Sequence, residues 1–106
     1  MNDQPQNKVM ERLRGAAVRD FCRANAIRKL EVFGSVARGE AVADSDVDLI
    51  AAFDRLPGLR LVELQEEIGR LLGMTVDFLS AGAVDAITNP FRRAAIAHDR
   101  CVVYET

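Results

Sequence analysis

The fold and chemistry of this chain turn on the stretch EVFGSVARGEAVADSDVDLIAAF, residues Glu31–Phe53. A short apolar run stops at Gly34-Ser35. Ten residues, VARGEAVADS, then lead to two aspartates separated by one residue, Asp46 and Asp48. Within the stretch, VDLIAAF (Val47–Phe53) is apolar on both faces beyond Asp48, which suits a strand inside a sheet that is covered or paired on both sides. KLEVF (Lys29–Phe33) reads as an earlier strand ended by Gly34.

Working outward, Val9, Leu13, Ala16, Ala17, Phe21 and Ala24 recur at helical spacing and predict one amphipathic first helix. DRLPG (Asp54–Gly58) is a loop by its Pro and Gly. Leu61, Leu64, Ile68, Leu71 and Leu72 form a second helical stripe, closed by Gly73. TVDFL (Thr75–Leu79) is a third strand. Asn89 as N-cap and Pro90 in the first turn open a last helix, and CVVYE (Cys101–Glu105) adds a final strand. The order α-β-β-α-β-α-β predicts an α/β (α+β) domain: a small mixed sheet with helices packed on it, one domain across residues 1–106.

Side chains alternate along a strand, so Asp46 and Asp48 emerge on one face with Cα atoms ~6.6 Å apart. Asp77, framed by Val76 and Phe78, joins them if its strand is a neighbour. Carboxylates fixed side by side repel unless a proton or cation intervenes. Hard oxygen donors converging in this way suit Mg²⁺, whose shell is completed by water or substrate phosphates. A pair of ions ~3.5–4 Å apart would clamp the attacking and leaving oxygens of an in-line displacement. Gly34 lets backbone approach a phosphate closely. SVAR (Ser35–Arg38) would open a short helix with Ser35 at its positive end, and Arg38 one turn on can reach phosphate or pair with an acid. The turn would thus hold a triphosphate tail while the aspartates hold metal.

Taken singly, each feature has an ordinary reading. Gly-Ser is a turn, Asp-x-Asp a solvated loop or cap, Asp77 an exposed edge residue and Arg38 a surface ion-pair residue. Their combination in this order is what points to a site. Other residues carry less. His98, the sole histidine, suits helix-end packing or a dipole contact. Cys22 and Cys101 read as buried thiols. Arg92, Arg93 and Arg100 form a basic cluster that is either a solvated face or a contact for an acidic partner or the nucleotide. Tyr104 is a strand residue or lies near a partner.

The composition narrows the classes. A net charge of −2 gives no whole-chain pull toward nucleic acid. No 18-residue apolar run predicts a membrane helix. The polar start and two distant cysteines suggest a reduced, cytoplasmic setting.

With Gly34-Ser35, ten residues, Asp46-x-Asp48 and a later Asp77 in place, the chain resembles the nucleotidyltransferase superfamily that includes the DNA polymerase β palm. FGSVARGEAVADSDVDLI and the tail NPFRRAAIAHDRCVVYE are similar to the minimal nucleotidyltransferases, small prokaryotic antitoxins encoded beside a HEPN-domain partner. The resemblance implies metal ligation by Asp46, Asp48 and Asp77, and phosphate binding by Gly34 and Ser35. It also implies transfer of AMP from ATP to a tyrosine of a HEPN ribonuclease toxin within a hetero-oligomer, with two Mg²⁺ ions. An acceptor hydroxyl would attack the α-phosphate, pyrophosphate would leave, and Asp77 would take the proton or orient the oxygen. A chain of 106 residues leaves little room for an acceptor-binding domain, which favours a protein acceptor. Two other readings stay open: a non-catalytic antitoxin that neutralises by contact, and a nucleotidyltransferase for a small molecule or an RNA end.

Overall fold

The computed structural model describes residues 5–40 and 46–106, with side chains from Lys8 onward. Part of the ten-residue spacer, residues 41–45, and the first four residues lie outside them. The elements in order are α1 (Pro5–Leu13), α2 (Ala16–Ala24), β1 (Ile27–Phe33), α3 (Ser35–Arg38), β2 (Val47–Phe53), a 3₁₀ turn (Gly58–Arg60), α4 (Leu61–Leu72), β3 (Val76–Ser80), α5 (Ala81–Asp85), α6 (Pro90–Asp99) and β4 (Cys101–Glu105).

Four strands form one mixed sheet in the order β3-β2-β1-β4. β1 runs antiparallel to both β2 and β4, while β2 and β3 are parallel. A parallel pair needs a crossover connection, and α4 supplies it between β2 and β3. Strand alternation sorts the side chains into two faces. Leu30, Val32, Val47, Leu49, Ala51, Val76 and Phe78 belong to the main core with residues of α1, α2 and α4. Leu64, Ile68 and Leu72 of α4 are 0–1% exposed. Each such side chain contributes roughly 1.5–3 kcal/mol on burial. On the other face Phe33 and Ile50 pack with Val84 of α5 and Ile96 of α6 into a smaller cluster. That second cover is partial and leaves the end of the sheet carrying Asp48 and Asp77 accessible.

The expected first helix is two helices. The chain breaks before Gly15, whose extended backbone (φ −81°, ψ 172°) caps α2. The break resets the helical phase. Val18, Phe21 and Cys22 are therefore buried, and Ala16, Ala17 and Ala24 are exposed. Leu71, read as part of the α4 stripe, is 39% exposed, because Leu72 at the adjoining position already fills the core. Gly73 does take the left-handed conformation (φ 68°) at the end of α4, where Arg12 of α1 donates to the Leu72 carbonyl. On the outer strand β3, the Phe78 N–H donates to Gln65 Oε1 at 3.0 Å, so α4 also satisfies a strand-edge donor.

Candidate active site

The parallel register between β2 and β3 makes Asp48 and Asp77 direct partners. Val47, Leu49, Val76 and Phe78 must point into the core, so period-two alternation drives both carboxylates to the opposite face. Asp48 is half-buried and Asp77 exposed. Asp46 lies just before β2, also exposed. The Asp48 carboxyl is pushed above its ordinary pKa, first by burial and then by the negative charges of Asp77 and Asp46; Arg38 and Arg92 pull the other way. Asp48 therefore feels the charge of both other aspartates. Among the described residues, no three His, Cys, Asp or Glu side chains converge tightly enough to cage an ion unaided. The donor chemistry nevertheless fits a hard divalent cation: carboxylate oxygens, one of them partly desolvated and disfavoured by its neighbours, with the remaining positions open to phosphate and water.

Gly34 joins the turn to the carboxylates. Its backbone (φ 74°, ψ −149°) lies in a region essentially reserved for glycine. A Cβ placed there would run into Asp48 Oδ2 and stand 3.3 Å from Asp48 Cγ. Phe33 pairs with Asp48 across β1 and β2, which brings the end of β1 to the start of β2. The short helix expected at SVAR forms as α3, with the Arg38 N–H donating to the Gly34 carbonyl at 3.1 Å. Gly39 ends it in the left-handed conformation, and the Glu40 N–H donates to the Ser35 carbonyl at 2.9 Å.

Of the two roles open to Arg38, the structure fills the acid-pairing one. Its Nη1 donates to Asp99 Oδ2 at 2.7 Å and its Nε to Glu40 Oε2 at 3.1 Å. The Asp99 side chain is 8% exposed and also meets His98 Nδ1 at 3.1 Å. His98 is otherwise at the surface, in the last turn of α6. The contacts to His98 and Arg38 hold the Asp99 carboxyl below its ordinary pKa, and the two acids raise that of Arg38.

The three arginines read as one cluster are divided among different tasks. Arg100 grips Glu31 of β1 with Nη2 to Oε1 at 2.6 Å and Nε to Oε2 at 3.0 Å. Arg92 lines a cleft with Gly34 and Arg38, and Arg93 is exposed. Cys22 is fully buried, which pushes its thiol up to about 12, and Cys101 is half-buried. Tyr104 lies in β4 with its hydroxyl buried and unpaired among the described residues. Sequence reasoning missed Asp99 and Glu31, although both left a signal. Asp99 ends a helix, where an acid opposes the dipole unless a cation meets it. Glu31 interrupts an apolar strand whose neighbours are buried, which calls for a buried partner.

Residues 16–103 match the family described as Nucleotidyltransferase domain. The protein adenylyltransferase MntA of Thermococcus cleftensis is 46% identical over 54 residues, which are 50% of this chain and 54% of MntA. The chain thus spans about half the length of that curated relative. A toxin–antitoxin crystal structure with AMP-PNP superposes with a TM-score of 0.66 at 17% identity, covering 95% of this chain and 73% of the other. The structure of a tri-AMPylated Shewanella oneidensis HEPN toxin in complex with MNT antitoxin gives 0.62 at 15% identity, covering 91% and 73%. These two likenesses show a shared fold. Among the described residues no helix is long and apolar enough to cross a membrane. With the glycine turn packed on the first strand aspartate and the family match spanning both, the chain belongs to the nucleotidyltransferase domain family.

Proposed function

We propose that this chain is an antitoxin that transfers AMP from ATP to a tyrosine of a HEPN toxin, acting as one minimal nucleotidyltransferase domain. The observation that carries the reading is the in-register Asp48–Asp77 pair set against the Gly34 turn. MntA, which is similar over half of this chain, is itself a protein adenylyltransferase, and the HEPN complex of the same fold holds an AMPylated toxin.

Gly34 and Ser35 would present backbone N–H groups and a hydroxyl to the outer phosphates, at a turn whose glycine carries no Cβ. Asp46, Asp48 and Asp77 would hold Mg²⁺, two ions in the reading developed above, and the bound metal would supply positive charge to the triphosphate. In the transfer, the tyrosine oxygen bonds to the α-phosphorus as the α–β anhydride bond breaks and pyrophosphate departs. Asp77, the exposed member of the pair, orients the hydroxyl or takes its proton. Arg38 faces the same turn with its charge shared between Asp99 and Glu40.

The test uses ATP labelled at the α-phosphate, Mg²⁺, this protein and a HEPN partner encoded beside its gene. Label should appear on the partner and vanish with Asp46→Asn, Asp48→Asn. Neutralisation of the toxin by that double variant, without label, would replace transfer with inhibition by contact. Turnover without any protein acceptor would point to a small molecule or RNA end.

A further inference from the structure

Between α3 and α6 lies an open-sided cleft of about 210 Å³. Phe33, Ala95 and Ile96 give it apolar walls, and Gly34, Arg38, Asp99 and Arg92 supply its polar surface. Because Gly34 is part of the lining, the cleft is continuous with the glycine turn.

Its two guanidinium groups differ in freedom. Arg38 is bound to Asp99 and Glu40, so much of its charge is already answered. Arg92 is exposed and its side chain has no ion-pair partner among the described residues, yet its positive charge acts on Asp48. The N-terminus of α6 is itself occupied: Pro90 has no N–H, and Asn89 Oδ1 accepts from the Phe91 and Arg92 N–H groups at 2.9 and 3.2 Å. With those N–H groups taken, the Arg92 side chain is what this end of α6 offers to an anion in the cleft. A guanidinium fork matches phosphate oxygens in geometry and charge, whereas an adenine ring offers it no anion.

We infer that Arg92 is a substrate-binding residue that grips the outer phosphates of the nucleoside triphosphate across the cleft from Gly34, so that α6 forms one wall of the nucleotide site. This rests on the proposed nucleotidyl-transfer reading and adds to it a residue outside the Gly-Ser and Asp-x-Asp motifs. The residue contacts the part of the substrate that leaves as pyrophosphate, so it discriminates a triphosphate from a monophosphate.

The experiment is a calorimetric titration of the intact protein, in Mg²⁺, with ATP, AMP and inorganic pyrophosphate. Wild type is compared with Arg92→Ala, Arg92→Lys and, as a control for net charge, Arg93→Ala; circular dichroism checks folding. Removing one charge-assisted contact should weaken ATP and pyrophosphate by about 10- to 100-fold. AMP should be unaffected, lysine should restore part of the loss, and Arg93→Ala should bind as wild type does. Unchanged ATP binding by Arg92→Ala, equal losses for ATP and AMP, or an equal loss in Arg93→Ala would each overturn the assignment while leaving nucleotide binding intact. Failure of the wild type to bind any of the three ligands would overturn this inference and the proposed function together.

Discussion

Gly34 and Asp48 are packed so closely that residue 34 has no room for a β-carbon: the atom would meet the Asp48 carboxylate. The positive φ of Gly34 adds a second penalty for any side chain. Gly34→Ala is therefore expected to cost roughly 1–3 kcal/mol in stability, the scale for a residue forced into a sparsely populated backbone region. It should also displace Asp48. Chemical denaturation measures the first effect, and nucleotidyl transfer at a temperature where the variant is folded measures the second. A variant that is destabilised but fully active would show that the position of Asp48 does not matter to the reaction.

Asp48 and Asp77 sit opposite each other across the β2–β3 pair, and burial, then the charges of Asp77 and Asp46, disfavour the ionised Asp48 against the pull of Arg38 and Arg92. On the proposed reading these carboxylates await a cation, and such a set is destabilised without one. Asp48→Asn or Asp77→Asn should raise stability in the presence of chelator by roughly 0.5–1 kcal/mol, the scale of a cross-strand charge pair. Added Mg²⁺ should raise the Tm of the wild type more than that of either variant, because only the intact carboxylate set gains by binding it. Differential scanning fluorimetry in EDTA and in Mg²⁺ reads both effects. Lower stability of the Asn variants in chelator would mean that the carboxylates are held by favourable contacts instead.

Much of this was legible in the sequence because alternation and glycine chemistry act locally. VDLIAAF gave β2 at the observed bounds, Gly73 ended α4, and Asn89-Pro90 opened α6. That Asp48 and Asp77 point away from the core follows from the buried residues on either side of each, whereas the adjacency and register that pair them are seen only in the structure. Three things were less accessible. The helical spacing from Val9 to Ala24 ran through Gly15 without a visible break, since alanines fit either phase of a helix. The five-residue α5 was not assigned, because small residues show no periodicity over one turn; its one signal was Ser80, whose Oγ accepts from the Ala83 N–H at 3.2 Å. The fate of the arginines depended on long-range partners. Arg38 reaches Asp99, and Arg100 reaches Glu31, across separations that no local pattern encodes.

The Arg38–Asp99 contact predicts a pH dependence with a definite sign. The Asp99 carboxyl is held below its ordinary pKa, first by His98 and next by Arg38. An acid with a depressed folded-state pKa adds stability that is present above the unfolded value, about 4, and is lost as pH falls through the folded value. Asp99→Asn should accordingly be less stable than wild type near pH 7. The gap should shrink as pH falls below about 4 and close only once pH is below the lower folded-state value, where both side chains are neutral in the native protein. Urea denaturation of the two proteins across this range checks it; a gap that stays constant with pH would assign the loss to packing and not to charge.

Glu31 and Arg100 make another long-range ion pair, and its geometry sets a different expectation. Glu31 is 7% exposed, between Ile50 and Val102 on the neighbouring strands, and both of its oxygens accept from the Arg100 guanidinium. Arg100 directly follows α6, and Glu31 lies three positions before Gly34, so the pair ties the end of α6 to the strand that leads into the glycine turn. Removing one partner strands a buried charge. Arg100→Ala should cost roughly 2–4 kcal/mol, at or below the usual range for such pairs because the arginine itself keeps contact with water. Replacing both, Glu31→Leu with Arg100→Met, removes the desolvated charges together and should recover most of that loss. A double-mutant cycle by urea denaturation measures the coupling. Additive losses would show two independent packing contributions. A large coupling with recovered stability but loosened nucleotide binding would show that the pair is kept to hold α6 beside the turn.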